Sequence, residues 1–371
     1  MMSVAPFQRR LEALRKILSE QPFDTILISE PYNRAYMSGF WAEDMHPAES
    51  SGFLLINDQD QVLATDFRYQ EQAAKEAPGF RLVVYKETLL HVLADILASL
   101  DTKNLGFESR HLTHDKFMQV EETLHKWNPR GKLIASKDLV EGIRVVKEPA
   151  ELQAIRESLD LTERVFDAVL TEIEIGKTER EVAWRIEELV REGGAEAVAF
   201  PPIVASGQNA AMPHAIPTDR RLQRGETIIV DMGARVAHYC SDMTRTIILG
   251  EADSQTRQIY ATVRQAQLAA MDAIRAGISS LEVDKVARDY IDSAGYGDYF
   301  GHGLGHGVGL AVHEKPGFGK LSAMVLEENM VVTVEPGIYL PGCAGVRLEN
   351  MVRVTRQGCE LLNKNDFFYS F

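Results

Sequence analysis

Apolar and polar positions along this 371-residue chain follow two regimes, and the pattern changes near residue 145. Over 7–19 the leucines recur at helical spacing, which predicts an amphipathic helix. Short runs rich in apolar and β-branched residues follow at 25–29, 52–57, 62–65, 81–85, 105–108 and 132–135, with helical stretches at 89–100 and 113–127. Strands alternating with helices predict a small α/β domain over this first part of the chain. It contains no visible catalytic constellation.

At Val146-Lys147-Glu148-Pro149 the pattern changes. Pro149 suits the first turn of a helix, and 150–174 continues with helical periodicity. A second helix fits 178–192 and stops at Gly193-Gly194. Further on, strand candidates at 226–232, 240–249, 330–339 and 345–354 accompany helices at 254–276 and 280–293. Helices segregated from hairpin-linked strands predict an α+β domain with an antiparallel sheet. The expected domains are therefore 1–145 and 146–371.

Composition narrows the classes. Hydrophobic residues make up 45% and charged residues 25%, as in ordinary globular proteins. A net charge of −14 argues against a nucleic-acid surface, which needs a basic stripe. No run reaches the roughly 18 apolar residues of a membrane span, and the amino terminus lacks a signal-peptide core. The cysteines, 240, 343 and 359, are odd in number and match neither a disulfide framework nor a zinc site. A cytoplasmic protein is expected.

Four carboxylates stand in strand-like, apolar surroundings: Asp231 after Thr227–Val230, Asp242 before Met243–Ile248, Glu335 after Val331–Val334, and Glu349 within 346–351. Such groups are seldom buried without a partner, because desolvating a charge is costly. A hairpin centred between Val236 and Ala237 would set Asp231 opposite Asp242. One centred on Gly342, in a turn signal at 340–345, would set Glu335 opposite Glu349. Opposed like charges repel, so two such pairs call for cations. Arg245 and Arg347 could supply them, but two arginines do not readily serve four carboxylates.

The histidines suggest another answer. His302 and His306 lie four apart among the five glycines of 301–309, His313 follows, and His214 sits in Met212-Pro213-His214-Ala215. Four carboxylates and one neutral imidazole balance two divalent metals. Oxygen-rich ligation favours Mn2+, with Co2+, Fe2+ or Zn2+ as alternatives.

These residues resemble the "pita-bread" metallopeptidases, in the branch of Xaa-Pro dipeptidase (prolidase) and aminopeptidase P. The likeness runs through 147–371 and rests on Val230-Asp231-Met232-Gly233, Ser241-Asp242-Met243-Thr244-Arg245-Thr246, His306, Val334-Glu335-Pro336-Gly337 and Arg347-Leu348-Glu349-Asn350. Residues 1–145 resemble the creatinase-like domain of that branch, with weaker motifs. The resemblance implies that Asp231 chelates one metal, that His306 and Glu335 bind the other, and that Asp242 and Glu349 bridge both. It further implies that Glu335 shuttles a proton, His302 and His313 contact the substrate carbonyl or tetrahedral intermediate, and His214 orients the reacting end. Arg347 would orient the metal-bound carboxylates. The implied activity is hydrolysis of the bond preceding proline in short proline-containing peptides, by a homodimer. Xaa-Pro dipeptidase is the first expectation. Aminopeptidase P, a non-proline amide hydrolase and a non-enzymatic binding protein remain alternatives.

Overall fold

Two units divide the chain in the computed structural model, Met1–Arg144 and Val145–Phe371, with residues 5–44, 46, 49–320 and 323–371 described. The first unit holds one six-stranded sheet. Its order across the sheet is Arg81–Tyr85, Gln61–Asp66, Phe53–Ile56, Thr25–Ile28, Leu105–Glu108, Leu133–Ser136. Thr25–Ile28 pairs antiparallel with Phe53–Ile56 and parallel with Leu105–Glu108, so the sheet is mixed. Every residue of Thr25–Ile28 and Phe53–Ile56 is buried, as their unbroken apolar runs require of central strands. Helices Leu90–Ser99 and His114–Trp127 supply Leu93, Ile96, Leu97, Val120 and Leu124 to the core on this sheet. Short helices Pro31–Ser38, Gln70–Glu76 and Leu139–Arg144 were not foreseen, being too brief to show a period.

The second unit is α+β, and all its strand pairs are antiparallel. Its helices begin where their local chemistry says they should. Glu148 and Glu151 close a capping box around Pro149–Glu172, and Thr178 and Glu181 do the same for Glu179–Glu192. Asp253 and Ser279 cap Ser254–Ala273 and Ser280–Ser293. These last two helices bury Ile259, Val263, Ala266, Val283, Ala287 and Ile291 with Val332, Val334, Ile338, Val346, Leu348 and Val352 of the long carboxy-terminal hairpin.

Three predicted strands are each broken, and every break falls at a candidate carboxylate. The 240–249 run becomes Tyr239–Cys240 and Met243–Ile248, separated by Ser241 and Asp242. The 330–339 run becomes Val331–Val334 and Gly337–Leu340, separated by Glu335 and Pro336, which has no N–H to give a ladder. The 345–354 run becomes Ala344–Arg347 and Asn350–Val354, separated by Leu348 and Glu349. Strands Ala197–Val198, Ile203–Ser206, Gly305–Gly307, Glu314–Phe318 and Cys359–Leu361 were missed, since short or glycine-rich runs carry little apolar period.

One register differs from expectation. Ala237 and His238 both have positive φ, 48° and 69°, and form a two-residue hairpin connection of the I′ kind. The hairpin therefore centres one residue later than predicted, and Asp231 faces Thr244 instead of Asp242. In the other hairpin Val334 faces Asn350 and Gly337 faces Arg347, which leaves Glu335 opposite Glu349 as expected.

Buried Gln267 closes the gap at that second break. Its Nε2 donates to Val334 O at 3.1 Å and Leu348 O at 3.0 Å, the carbonyls just before the two glutamates. Gln267→Met keeps the shape but orphans both carbonyls. At about 1–3 kcal/mol for an unsatisfied buried acceptor, the variant should lose about 2 kcal/mol and roughly 4–8 °C in melting temperature. Differential scanning calorimetry checks this; an unchanged melting temperature contradicts the role given to Gln267.

Candidate metal centre

The nine residues singled out from the sequence come together in the second unit. Asp231, Asp242, His214, His302, His306, His313, Glu335 and Arg347 line one pocket of about 470 Å3, and Glu349 lies behind them, 1% exposed. Asp242, His306 and Glu349 each offer a ligand atom, all within 4.8 Å of one another. His306 Nε2 stands 3.5 Å from Asp242 Oδ2 and 3.3 Å from Glu335 Oε1.

Strand and loop geometry aims these groups. Gly303, Gly305 and Gly307 alternate, and a Cβ on each would fall 2.0–2.2 Å from the backbone oxygens of Phe318, Thr333 and Lys315. Only glycine lets the histidine segment lie so close to its neighbours. His306 Nδ1 donates to Gly307 O at 3.1 Å, which turns Nε2 toward the carboxylates. Thr333 Oγ1 donates to Glu335 Oε1 at 3.2 Å, and Thr244 Oγ1 to Glu349 Oε2 at 2.8 Å.

Among the described residues, Arg347 is the one arginine that meets a carboxylate of the cluster. Its Nη2 donates to Asp231 Oδ2 at 2.6 Å, and its Nη1 to Pro213 O and Tyr339 OH, both at 3.0 Å. Arg245, the other candidate, is fully buried but donates to Glu349 O, Asn350 Oδ1 and Asn365 instead. His302 Nδ1 donates to Gly303 O at 2.7 Å, so the neutral ring accepts from Tyr339 OH at Nε2, 2.9 Å away. Tyr339 thus links His302 to Arg347. No sequence motif marked it, because a tyrosine in a buried strand is ordinary.

His214 is carried on a loop anchored from elsewhere. Glu179, fully buried at the start of its helix, accepts from Ser206 N, Ser206 Oγ, Asn209 Nδ2, Thr218 N and Thr218 Oγ1 at 2.6–3.1 Å. Those bonds bracket the loop, and Arg347 holds its Pro213. The rest of the pocket wall is apolar: Phe200, Pro201, Pro202, Ile203, Ile216 and Pro217. No sequence motif marks these residues.

Electrostatics tests whether cations suit the cluster. Burial, then the charges of Glu349, Asp231 and Glu335, raises Asp242 well above the carboxylate range. Burial raises Asp231 as well, against the pull of Arg347. Glu349 is pushed up to about 8 by burial and by Glu335 and Asp231. Burial works against ionisation of Glu335 too, but His306, His302 and Arg347 outweigh it and bring it down to about 2. Glu335 likewise outweighs burial at His306 and raises it to about 9. With protons as the only counter-charge, the cluster therefore takes them up at neutral pH. Asp231 Oδ1 and Glu349 Oε1 are buried without a hydrogen-bond partner among the described residues. Acceptor-only oxygens, a ring nitrogen turned inward and mutual repulsion form a donor set that fits divalent cations.

Comparison with known proteins agrees with this geometry. Residues 153–356 match metallopeptidase family M24, and residues 10–146 match the creatinase/prolidase N-terminal domain. The chain is 36% identical to a Xaa-Pro dipeptidase of Pyrococcus furiosus over 97% of its own length and 99% of the relative's. It superimposes on a Xaa-Pro dipeptidase from Bacillus anthracis with a TM-score of 0.91 and 37% identity, covering 97% of this chain and 98% of that one. An X-Pro aminopeptidase from Thermotoga maritima gives a TM-score of 0.86 and 35% identity, covering 96% and 97%. The chain belongs to metallopeptidase family M24, with a creatinase/prolidase N-terminal domain ahead of a pita-bread catalytic domain.

Proposed function

We propose that this chain is a dinuclear metallopeptidase that cleaves the bond preceding proline in Xaa-Pro dipeptides. The convergence of four buried carboxylates with an inward-turned His306, beside an apolar wall, is the observation that carries the reading. Asp231, Asp242, His306, Glu335 and Glu349 would hold two divalent ions, with Mn2+ preferred by so oxygen-rich a set. The bound ions would supply Lewis acidity and a water acidic enough to attack at neutral pH. Residues 1–145 would form the amino-terminal domain and 146–371 the catalytic one. The free cysteines 240, 343 and 359 support a reducing, cytoplasmic location, and the family resemblance supports a homodimer. No helix among the described residues is long and apolar enough to cross a membrane.

The chain's own groups then divide the work. A carboxylate oxygen of the cluster can accept from the free ammonium of the substrate. The wall formed by Phe200, Pro201, Pro202, Ile203, Ile216 and Pro217 excludes water and suits an apolar ring. A bond to proline has no N–H, so its pocket needs no acceptor for one. Glu335 would carry a proton between the attacking water and the departing proline nitrogen. His313, held neutral by burial, can donate to the oxygen where negative charge develops, whereas His302, also neutral, can do so only by giving up its bond to Gly303 O or to Tyr339 OH. His214 orients the reacting end, and Arg347 keeps Asp231 in place.

Purified protein supplied with Mn2+ should cleave Gly-Pro and Ala-Pro and leave Ala-Ala at least about a hundredfold slower in kcat/KM, the difference a fitted pocket can make. Equal cleavage of Ala-Ala would sink the proline assignment. A second expectation concerns pH. The folded chain binds the Glu349 proton more tightly than the unfolded chain, so that stability is complete below the ordinary 4.5 and lost as pH rises through about 8. His306 behaves alike, its contribution present below 6.5 and lost through about 9. Protein stripped with a chelator should therefore melt lower at about pH 8.5 than at about pH 6, and Mn2+ should raise the melting temperature more at the higher pH. A gain from Mn2+ that is larger at the lower pH is the contrary result.

A further inference from the structure

His302 and His306 are each held by a ring hydrogen bond to a carbonyl, but among the described residues the ring of His313 makes none. Its ring meets that of His306, with centroids 4.4 Å apart. The place of His313 is therefore set by the backbone of its own loop, 308–313, which joins strands Gly305–Gly307 and Glu314–Phe318. Glu314, the next residue, clamps that loop. It pairs with Gly307 at the base of the hairpin. Its Oε1 accepts from Ala311 N at 3.0 Å, and its Oε2 from Lys147 Nζ at 2.9 Å. A Cβ on Gly309 would fall 2.5 Å from Oε2 and push the carboxylate off the loop, so glycine is needed there.

The side chains of Lys147 and Glu314 are 2% and 7% exposed. A buried ion pair gains little stability over an apolar pair of equal size. It does fix where the carboxylate lies, and with it Ala311. Lys147 is itself anchored: its N donates to Asn329 O at 3.0 Å, and it precedes the capping box of Glu148 and Glu151. Glu151 also accepts from Tyr239 OH at 2.9 Å, and the neighbouring Cys240 N donates to Gly309 O at 2.8 Å. The start of helix Pro149–Glu172 thus reaches the loop twice, at Gly309 through Tyr239-Cys240 and at Ala311 through Glu314. Resting on the role given to His313, we propose that the Lys147–Glu314 ion pair is a positioning device that holds His313 in the catalytic pocket, so that both residues govern turnover without touching substrate.

The test is a mutant cycle on the Mn2+-loaded chain with Ala-Pro as substrate. Lys147→Met combined with Glu314→Gln removes both charges together, so no lone charge stays buried, and keeps an acceptor for Ala311 N. Because His313 acts in the transition state, the paired variant should lower kcat about tenfold and leave KM within about twofold. In a His313→Ala background the same pair should lower kcat by less than about twofold, since the group it positions is gone. An equal loss in both backgrounds marks a merely structural role and overturns the proposal, as does an unchanged kcat. A full kcat in His313→Ala alone refutes the role of His313 and the proposal with it. Should the paired variant not fold, Glu314→Gln alone enters the same cycle with the same outcomes. If the wild type cleaves no peptide, the proposed function has failed, and NMR of the histidine-labelled, Zn2+-loaded chain judges the positioning by itself. Ring resonances of His313 that shift or broaden in the paired variant, while those of His302 stay in place, uphold it; unmoved His313 resonances overturn it.

Discussion

The crowding of Asp231, Asp242, Glu335 and Glu349 into one buried place is the constraint on which the second unit is organised. Burial and mutual repulsion both oppose ionisation there. The fold accommodates this by interrupting its own ladders. Three strands break at Asp242, Glu335 and Glu349, while Asp231 stays within the paired strand Thr227–Met232. The interruptions at Glu335 and Glu349 leave polar backbone to satisfy, and Gln267 and Arg245 satisfy it with side-chain donors.

Around this centre the surroundings are asymmetric. On one side Arg347, Tyr339 and His302 form a continuous hydrogen-bonded chain that ends at Asp231. On the other, a loop anchored by Glu179 presents His214, and prolines with Phe200 and two isoleucines make a dry wall. Acceptor oxygens for an amino terminus and an apolar seat for a ring thus meet in the same pocket. That pairing, more than the cluster alone, is what favours a proline-directed peptidase over other hydrolases on such a scaffold.

Much of this was legible in the sequence because it was local. Each carboxylate interrupts an apolar run, and the alternate glycines of 301–309 announce close backbone packing. The turn at Gly342 also set the register of Glu335 and Glu349 correctly. The register of Asp231 was misjudged because Ala237 and His238 adopt a turn that usually calls for glycine or asparagine. Tyr339, Gln267 and Glu179 were invisible for a different reason. Most of their partners lie tens of residues away, and an ordinary residue type in a strand or helix carries no sign of a distant bond. The same holds for the apolar wall, assembled from segments near 200 and near 216 that only the fold brings together.

The carboxylate cluster is built to hold a pair of divalent cations. Metal content by mass spectrometry, on protein equilibrated with Mn2+ and freed of excess, tests it most directly. The wild type should hold about two Mn2+ per chain and Asp242→Asn fewer than about one, since that side chain is assigned to both ions. Two ions retained in Asp242→Asn, or none bound by a folded wild type, would contradict it.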